Sequence, residues 1–588
     1  MKNTLYQLDV EKVLSVCKED TVLRYDLLKL IVAVQGQVNR EEPELYLMWQ
    51  ESDAFWLEYM MREGKFLHGV QLQPIEDVDR FFEVYGGFIH DCGLALWDYQ
   101  VPATMNVATT ASGVDGVLPV RFDEREESIL QLIRRKTGAP VRLNLVNKFT
   151  GKGEIPDIGR PSSGSAKCDA YLWALDQYLD RTNPKLLFYT LDACSWDDSK
   201  PYYPDLGNAF VPNHDYAIAK RAFVFDLSSY GDELPCDDPD QPLGTDLNTM
   251  KEILKRQYDR TFGKEMITVC GFNPWQQKYT THLNKGKHDG VPAEWQFTEV
   301  ISAYNCVKDA DAYGMCGLAN ASVFSHYPLK KKYTNRKPKP GQVYDPNKTY
   351  ILFYVGDYDA AAWTCRMIPK WYQDENLGKN PLMWCFNPNL SDRIPQAFDF
   401  IYENYTDNDF FEAGDSGAGY NNPRLLYPPR VHSDLPSGAE TYVKHNQYYF
   451  DKFDMHIIGF IINGYYLTDK QQMRDIARFA TEGAGHNGYG DPTKIVDGAV
   501  FMPHTWDMAQ GHEQKSADEL AQIALKHIDE CPKNKKFHLF RTILISPTFH
   551  DELVQALRRA RPEANFELVD PHTFFRFAKE AKEKGLTY

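Results

Sequence analysis

Short apolar runs alternate with amphipathic stretches along this chain, and the alternation changes character with position. From Tyr25 to about Leu118, helical patterns such as Tyr25-Asp26-Leu27-Leu28-Lys29-Leu30-Ile31-Val32 are interleaved with runs such as Leu45-Tyr46-Leu47-Met48. That spacing predicts a small α/β module over residues 1–118. Residues 119–215 carry a predicted helix near Glu124 to Lys136, a Gly/Pro/Ser-rich loop from Gly151 to Ser165, a helix from Ala166 to Arg181 and the apolar run Lys185 to Leu191. A second accessory module is the reading there. From 216 to 588 the rhythm is regular, with apolar runs at Ala222–Asp226, Met266–Phe272, Tyr350–Val355, Leu382–Phe386, Asp409–Glu412, Met455–Ile462, Ala499–Met502, Leu539–Ile545 and Phe566–Val569. The segments between them read mostly as helices. Strands alternating with helices specify parallel sheet, so the expected fold is α/β, a (β/α) TIM-like barrel behind N-terminal α/β accessory modules. An open doubly wound sheet is the alternative.

Catalytic groups in such a barrel sit at the C-terminal ends of strands, which makes the residues at the end of each apolar run the ones to inspect. Asp226 ends Phe223-Val224-Phe225; Asp357 follows Tyr354-Val355-Gly356; Glu412 and Asp415 follow Phe410-Phe411. Trp275, Trp384, Asn387, Asn463 and His504 occupy comparable places in or after their runs. Asp359 reads as the N-cap of a helix beginning at Ala360. The stretch Glu412-Ala413-Gly414-Asp415-Ser416-Gly417-Ala418-Gly419-Tyr420-Asn421-Asn422-Pro423 is the densest of these sites. Its glycines allow positive φ and close approach of backbone to a ligand, Gly417 and Gly419 above all, and Tyr420 is expected to be exposed beside them.

Composition narrows the partners. The 588 residues hold 82 acidic and 65 basic side chains, a net charge of −17, which argues against nucleic acid or an anionic membrane as the main partner, since both need a basic face. Aromatic residues make up 13% of the chain, including 35 Tyr and 11 Trp, a composition suited to stacking against sugar rings as well as to an ordinary core. Eleven cysteines, with no C-x-x-C among them, fit buried thiols in a reducing compartment. The first residues lack the apolar core of a signal peptide and no run is long enough to span a bilayer, so a soluble cytoplasmic protein is expected.

Gly417, Gly419, Tyr420 and Pro423 resemble the glycoside hydrolase family named for its GxGYxYP motif, with Asn422 standing where the motif has its second Tyr. The resemblance extends through Gln35-Gly36-Gln37-Val38-Asn39-Arg40, Asn106-Val107-Ala108-Thr109-Thr110, Asp237 to Gly244, Ala319-Asn320-Ala321-Ser322 and Val569 to Phe575. It implies a carbohydrate substrate and hydrolysis of a glycosidic bond, which needs two carboxyl groups flanking the scissile oxygen. Asp357 and Glu412 are the first pair, with Asp415 and Asp226 in reserve. Glu412, set among Phe410, Phe411 and Ala413, would have its pKa raised by burial as a general acid requires, while Asp357 would remain ionised.

Two other classes compete. A metal-dependent deacetylase or amide hydrolase could use His504 with Asp357, although the spacing of His504, Asp507 and His512 matches no recognised ligand pattern, and neither metal nor cofactor is expected. Asn422 in the motif also allows a non-catalytic carbohydrate-binding protein. Gly159 to Lys167 looks like a phosphate loop, but Pro161 and the misplaced Lys favour a plain loop in which Ser165 caps the next helix. Gly483 to Gly490 reads as a mobile glycine-rich loop.

Overall fold

The computed structural model describes residues 3–190, 213–271, 279–281, 286–310, 318–462, 469–488, 490–509 and 511–588. The chain divides into two compact units, one made of Met1–Gly263, Ile267–Pro328 and Asp392–Gln396, the other of Lys264–Met266, Leu329–Ser391 and Ala397–Tyr588.

The first unit carries three parallel sheets. Thr4–Asp9 lies between Leu45–Met48 and Gln71–Ile75, and Leu94–Trp97 lies between Leu118–Arg121 and Val141–Asn144. The third runs in the order Phe223–Phe225, Leu186–Tyr189, Ile267–Cys270, Cys306–Asp309. The helix Thr21–Val38 is buried continuously from Tyr25 to Gly36, as a helix apolar on most of its circumference must be. Ser165 caps the helix Ala166–Tyr178, its hydroxyl accepting from the Cys168 N–H, as the sequence suggests. One expectation is corrected here. The runs around Phe223–Phe225 and Ile267–Cys270 belong to this four-stranded sheet and not to the sheet that contains Tyr350–Val355. A four-residue apolar run announces a strand but not the partner it will choose.

The second unit is built on one ten-stranded sheet, with β1 Thr349–Tyr358, β2 Leu382–Phe386, β3 Asp409–Asp415, β4 Ile457–Ile461, β5 Gly483–His486, β6 Lys494–Val496, β7 Ala499–Pro503, β8 Trp506–Ala509, β9 Phe537–Ile543 and β10 Phe566–Leu568. Its order is β6-β7-β5-β4-β3-β2-β1-β9-β8, with β10 also paired to β1. Only β6 and β7 pair antiparallel. The result is a mixed α/β fold on a curled, parallel-rich sheet. Between β7 and β8 the ladder passes to new partners, the His504 N–H donating to the His486 carbonyl and the Thr505 N–H to the Leu539 carbonyl.

Local signals set the helices that cover this sheet. Ser546 and Asp570 cap Pro547–Ala560 and Pro571–Glu583, each followed by a proline whose missing N–H costs nothing at a first helical turn. Ser516 and Glu519 form a reciprocal capping box on Ala517–Glu530. The expected cap at Asp359 is not made, because the helix begins at Ala361 and Ala360 occupies the N-cap position. The expected Gly483–Gly490 loop is also revised. Gly483 to His486 is the buried strand β5, where a Cβ on Gly485 would meet the His504 ring at 2.6 Å.

Candidate functional site

Three strands bring a polar row together. Tyr354 on β1 stands opposite Arg541 on β9, and Arg541 stands opposite Asp507 on β8. In parallel pairing, register partners share a face, so residues nearly 190 positions apart in the chain become neighbours. The Arg541 Nη1 donates to Asp507 at 3.2 and 3.0 Å, and its guanidinium lies 4.9 Å from the centroid of the Phe460 ring. Tyr354 donates its hydroxyl to the Asp415 Oδ2 at 3.2 Å. Its ring takes the room that a side chain at Gly459 would need, since a Cβ there would come within 2.3 Å of it. His504 completes the cluster, its ring centroid 5.4 Å from Phe460 and 6.1 Å from Tyr354.

Electrostatics give each group a definite state. Burial and then the Asp415 charge hold the Tyr354 phenol well above its ordinary range, so it is a hydrogen-bond donor at neutral pH. Burial opposes the charge on Arg541, but Asp507, followed by Tyr354, Asp415 and Asp357, outweighs it and the guanidinium is held above its usual value. Burial pushes His504 down to about 4, partly offset by its Nε2 contact to the Gly459 carbonyl at 2.8 Å. A neutral ring whose Nε2–H donates there presents Nδ1 as an acceptor.

The backbone at two of these strand ends is held where side chains rarely go. Asp357 has φ of +71° and Ser416 has φ of +62°. Ser416 is fixed from several directions, with its N–H donating to the Phe460 carbonyl at 2.8 Å, its carbonyl accepting from Tyr442 at 2.6 Å and its hydroxyl accepting from the Ile462 N–H at 3.0 Å. Strain of this kind persists where surroundings over-determine it, and it concentrates at functional sites. Gly417 and Gly419 follow with φ of +101° and +113°.

Most of the expected site residues now have a place. Asn387, wholly buried at the end of β2, donates Nδ2 to the Asp415 carbonyl at 3.4 Å, so Asp415 and Asn387 come together with Tyr354, while Asp357 and His504 join the same electrostatic neighbourhood through Arg541. Glu412 does not join them. Its Oε2 accepts from the N–H groups of His456 and Ile457, both at 2.8 Å, where β4 begins, and its Oε1 lies 3.4 Å from His572 Nε2. Asp415 instead pairs in register with Phe460, near the end of β4. At about 3.3 Å per residue the two carboxylates of β3 are displaced by about 10 Å along the strand, toward opposite ends of the sheet. The expected pairing of Asp357 with Glu412 in one cleft is therefore corrected. Burial does raise Glu412 as anticipated, to about 8, but at the strand-start end.

Asp226 accepts from the Tyr189 hydroxyl at 2.8 Å within the four-stranded sheet of the other unit, and so is on a different sheet from Asp357 and Asp415. Trp384 is corrected as well: wholly buried, it donates Nε1 to Asp409 at the start of β3 and packs by Phe386 and Tyr358. Tyr420 is 3% exposed, not the surface residue expected. Asn422 caps the turn Pro423–Leu426 by accepting from the Arg424 N–H at 3.1 Å, a local backbone role for the residue that departs from the motif. Trp275 and Asn463 lie outside the described residues. Among the described residues no group of three His, Cys, Asp or Glu side chains is arranged to hold a metal ion.

Sequence reasoning missed Tyr354, Arg541 and Phe460. The signal was an Arg inside the apolar run Phe537-His538-Leu539-Phe540-Arg541-Thr542-Ile543, a charge that a buried strand accommodates only with a partner.

Comparison with known proteins gives this site a context. Residues 347–579 match the family described as "GxGYxYP putative glycoside hydrolase C-terminal domain", and residues 19–85 match the first domain of the same family's N-terminal part. Together the matches span just over half of the chain, and the protein belongs to the GxGYxYP family. The crystal structure of a putative hydrolase from Bacteroides thetaiotaomicron VPI-5482 is similar in fold, with a TM-score of 0.68 over 98% of this chain and 94% of that one, at 16% identity. No curated protein matches the sequence.

Proposed function

We propose that this protein is a glycoside hydrolase whose reacting groups are Asp415 and Asp357 at the C-terminal ends of β3 and β1. The observation that carries the reading is the convergence on Asp415 of the Tyr354 hydroxyl and the Arg541 charge, beside a strand end held at positive φ. A donor and a cation facing one carboxylate favour its ionised form, the state a nucleophile or base requires. Asp357, two strands away and also within electrostatic reach of Arg541, is then the second carboxyl group that the reaction requires. Gly417 and Gly419 shape the loop that borders the site, with His504 and Asn387 as polar lining.

The sheet is best read as a small (β/α) barrel, because the His504 and Thr505 hydrogen bonds link β5 on one side to β9 on the other. That reading places Asp357 and Asp415 on its catalytic rim. The substrate is a carbohydrate, as the family suggests. No helix among the described residues is long and apolar enough to cross a membrane, and the cysteines among them are free thiols, which suits the cytoplasmic location expected from the sequence.

Asp415→Asn and Asp357→Asn keep shape and remove the titrating group. Each should lower kcat by at least about a hundredfold on an aryl glycoside that the parent cleaves, with sugar binding retained. Full activity in both variants would refute the assignment.

A further inference from the structure

The connection from β5 to β7 supplies β6 and the Gly490-Asp491 turn in place of a helix. A pocket of about 470 Å³ lies between that turn, Trp506 at the start of β8 and the end of the helix Ala517–Glu530. Trp506 and Asp507 are consecutive on β8. Asp507 pairs with Arg541 of the candidate catalytic cluster, whereas Trp506 stacks on His527 of that helix, with ring centroids 4.6 Å apart and planes at 15°. The pocket is therefore separate from the groups assigned to catalysis.

Lys535 is the informative residue of its lining. It is 8% exposed, and among the described residues its ammonium makes no hydrogen bond and no ion pair. Lys167 in the other unit shows how a lysine this deep is ordinarily accommodated, with Asp237 at 2.9 Å and Asp246 at 2.7 Å. Around Lys535 the buried imidazoles of His486, His504 and His538 are all held neutral, chiefly by burial and in part by the Lys535 charge. Burial lowers the pKa of Lys535 itself, and a weak contribution from Cys531 opposes it. A largely buried stem that ends in an ammonium with no acceptor among the described residues offers that charge to an anion in the pocket. Asp491 and Glu530, the latter already holding His527 Nδ1 at 2.9 Å through Oε2, add acceptors suited to hydroxyl groups, and the indole adds an apolar face.

We propose that this pocket is a non-catalytic binding site for a carboxylated pyranose, a hexuronic acid, with its carboxylate on Lys535 Nζ, its apolar ring face toward Trp506 and its hydroxyls donating to Glu530 and Asp491. The volume suits a monosaccharide or a chain-terminal residue. Distant charges of the −17 total are screened beyond about 8 Å at physiological salt, so the local balance of Lys535 against Glu530 and Asp491 governs which anion the pocket takes.

Isothermal titration of the full chain with D-glucuronate, D-glucose and acetate tests the proposal. Glucuronate should bind at least about tenfold more tightly than either of the others, since neither supplies both the carboxylate and the ring. Lys535→Met keeps the packing of the stem and removes a buried charge, so the variant should fold, as circular dichroism will check, and should lose that preference. Trp506→Ala should weaken glucuronate at least about tenfold. Asp415→Asn should leave it unchanged, which separates this site from the hydrolytic reading. Glucose or acetate binding as tightly as glucuronate, unaltered binding in Lys535→Met, or no heat up to about 10 mM glucuronate would each overturn the proposal.

Discussion

Asp357 and Ser416 are held at positive φ where most residues with a Cβ avoid it, and each such position costs on the order of 1–3 kcal/mol. Aspartate tolerates that region better than most, which lets a carboxylate sit near the end of β1, where its register with β2 shifts between Val355 and Tyr358. Gly417 marks the limit of this tolerance. Its φ of +101° leaves the region ordinary side chains use, and an added Cβ would come within 2.2 Å of the Asn446 Oδ1, which already accepts from the Ala418 N–H at 2.7 Å. Gly417→Ala should lower unfolding stability by about 1–3 kcal/mol in urea titration, because strain and the Asn446 contact act together. A variant as stable as the parent would show that the loop relaxes freely. Glycines in this motif were legible from the residues alone, since one residue type answers the need for positive φ. The burial of Tyr420 was not, because exposure depends on what else packs there.

Midway along β3 and where β4 begins, the buried Glu412 and His572 and the part-exposed Glu482 form an acid–imidazole–acid chain at the N-terminal end of the helix Pro571–Glu583. His572 Nδ1 is 2.8 Å from Glu482 and Nε2 is 3.4 Å from Glu412. Burial alone would depress His572, but the Glu482 hydrogen bond and the Glu412 charge outweigh it and raise the imidazole to about 9. Burial raises Glu412 in the same direction, to about 8. Both folded values exceed the unfolded ones, so the native state binds these protons more tightly. Their stabilisation is complete below the ordinary range of each group and is lost as pH rises through the folded value. Glu482 is opposite in sign: burial raises it, but the His572 hydrogen bond together with the charges of His572, His456 and Lys337 outweighs burial and lowers it, so its contribution is lost in acid. Thermal unfolding should show Tm falling as pH rises from about 6.5 to about 9. His572→Gln should flatten that limb, and an unchanged slope would remove the chain from the account.

For the molecule as a whole, the acidic balance makes a clear expectation. With 82 acidic against 65 basic residues, the protein should give no shift of duplex DNA at about 150 mM salt, since phosphate contacts require a basic face. A shift at that salt would point to a local basic surface that the total conceals. Much of the element plan was legible in the sequence: the alternation of strands and helices, the cap at Ser165 and the acidic strand end at Asp415 all follow from residue types and short spacings. Partnership was not. Whether Phe223–Phe225 joins the sheet of Tyr350 or another, whether Glu412 faces the start or the end of its strands, and whether Arg541 meets Tyr354 and Asp507 are decided by long-range register. A strand repeats its side-chain pattern every two residues and records nothing of its neighbour. The sequence by itself thus determined which residues could carry chemistry and which backbone positions needed glycine. Only the packing of distant strands decided which of those residues share a site, because hydrogen-bond register and burial are properties of pairs of segments and not of either segment alone.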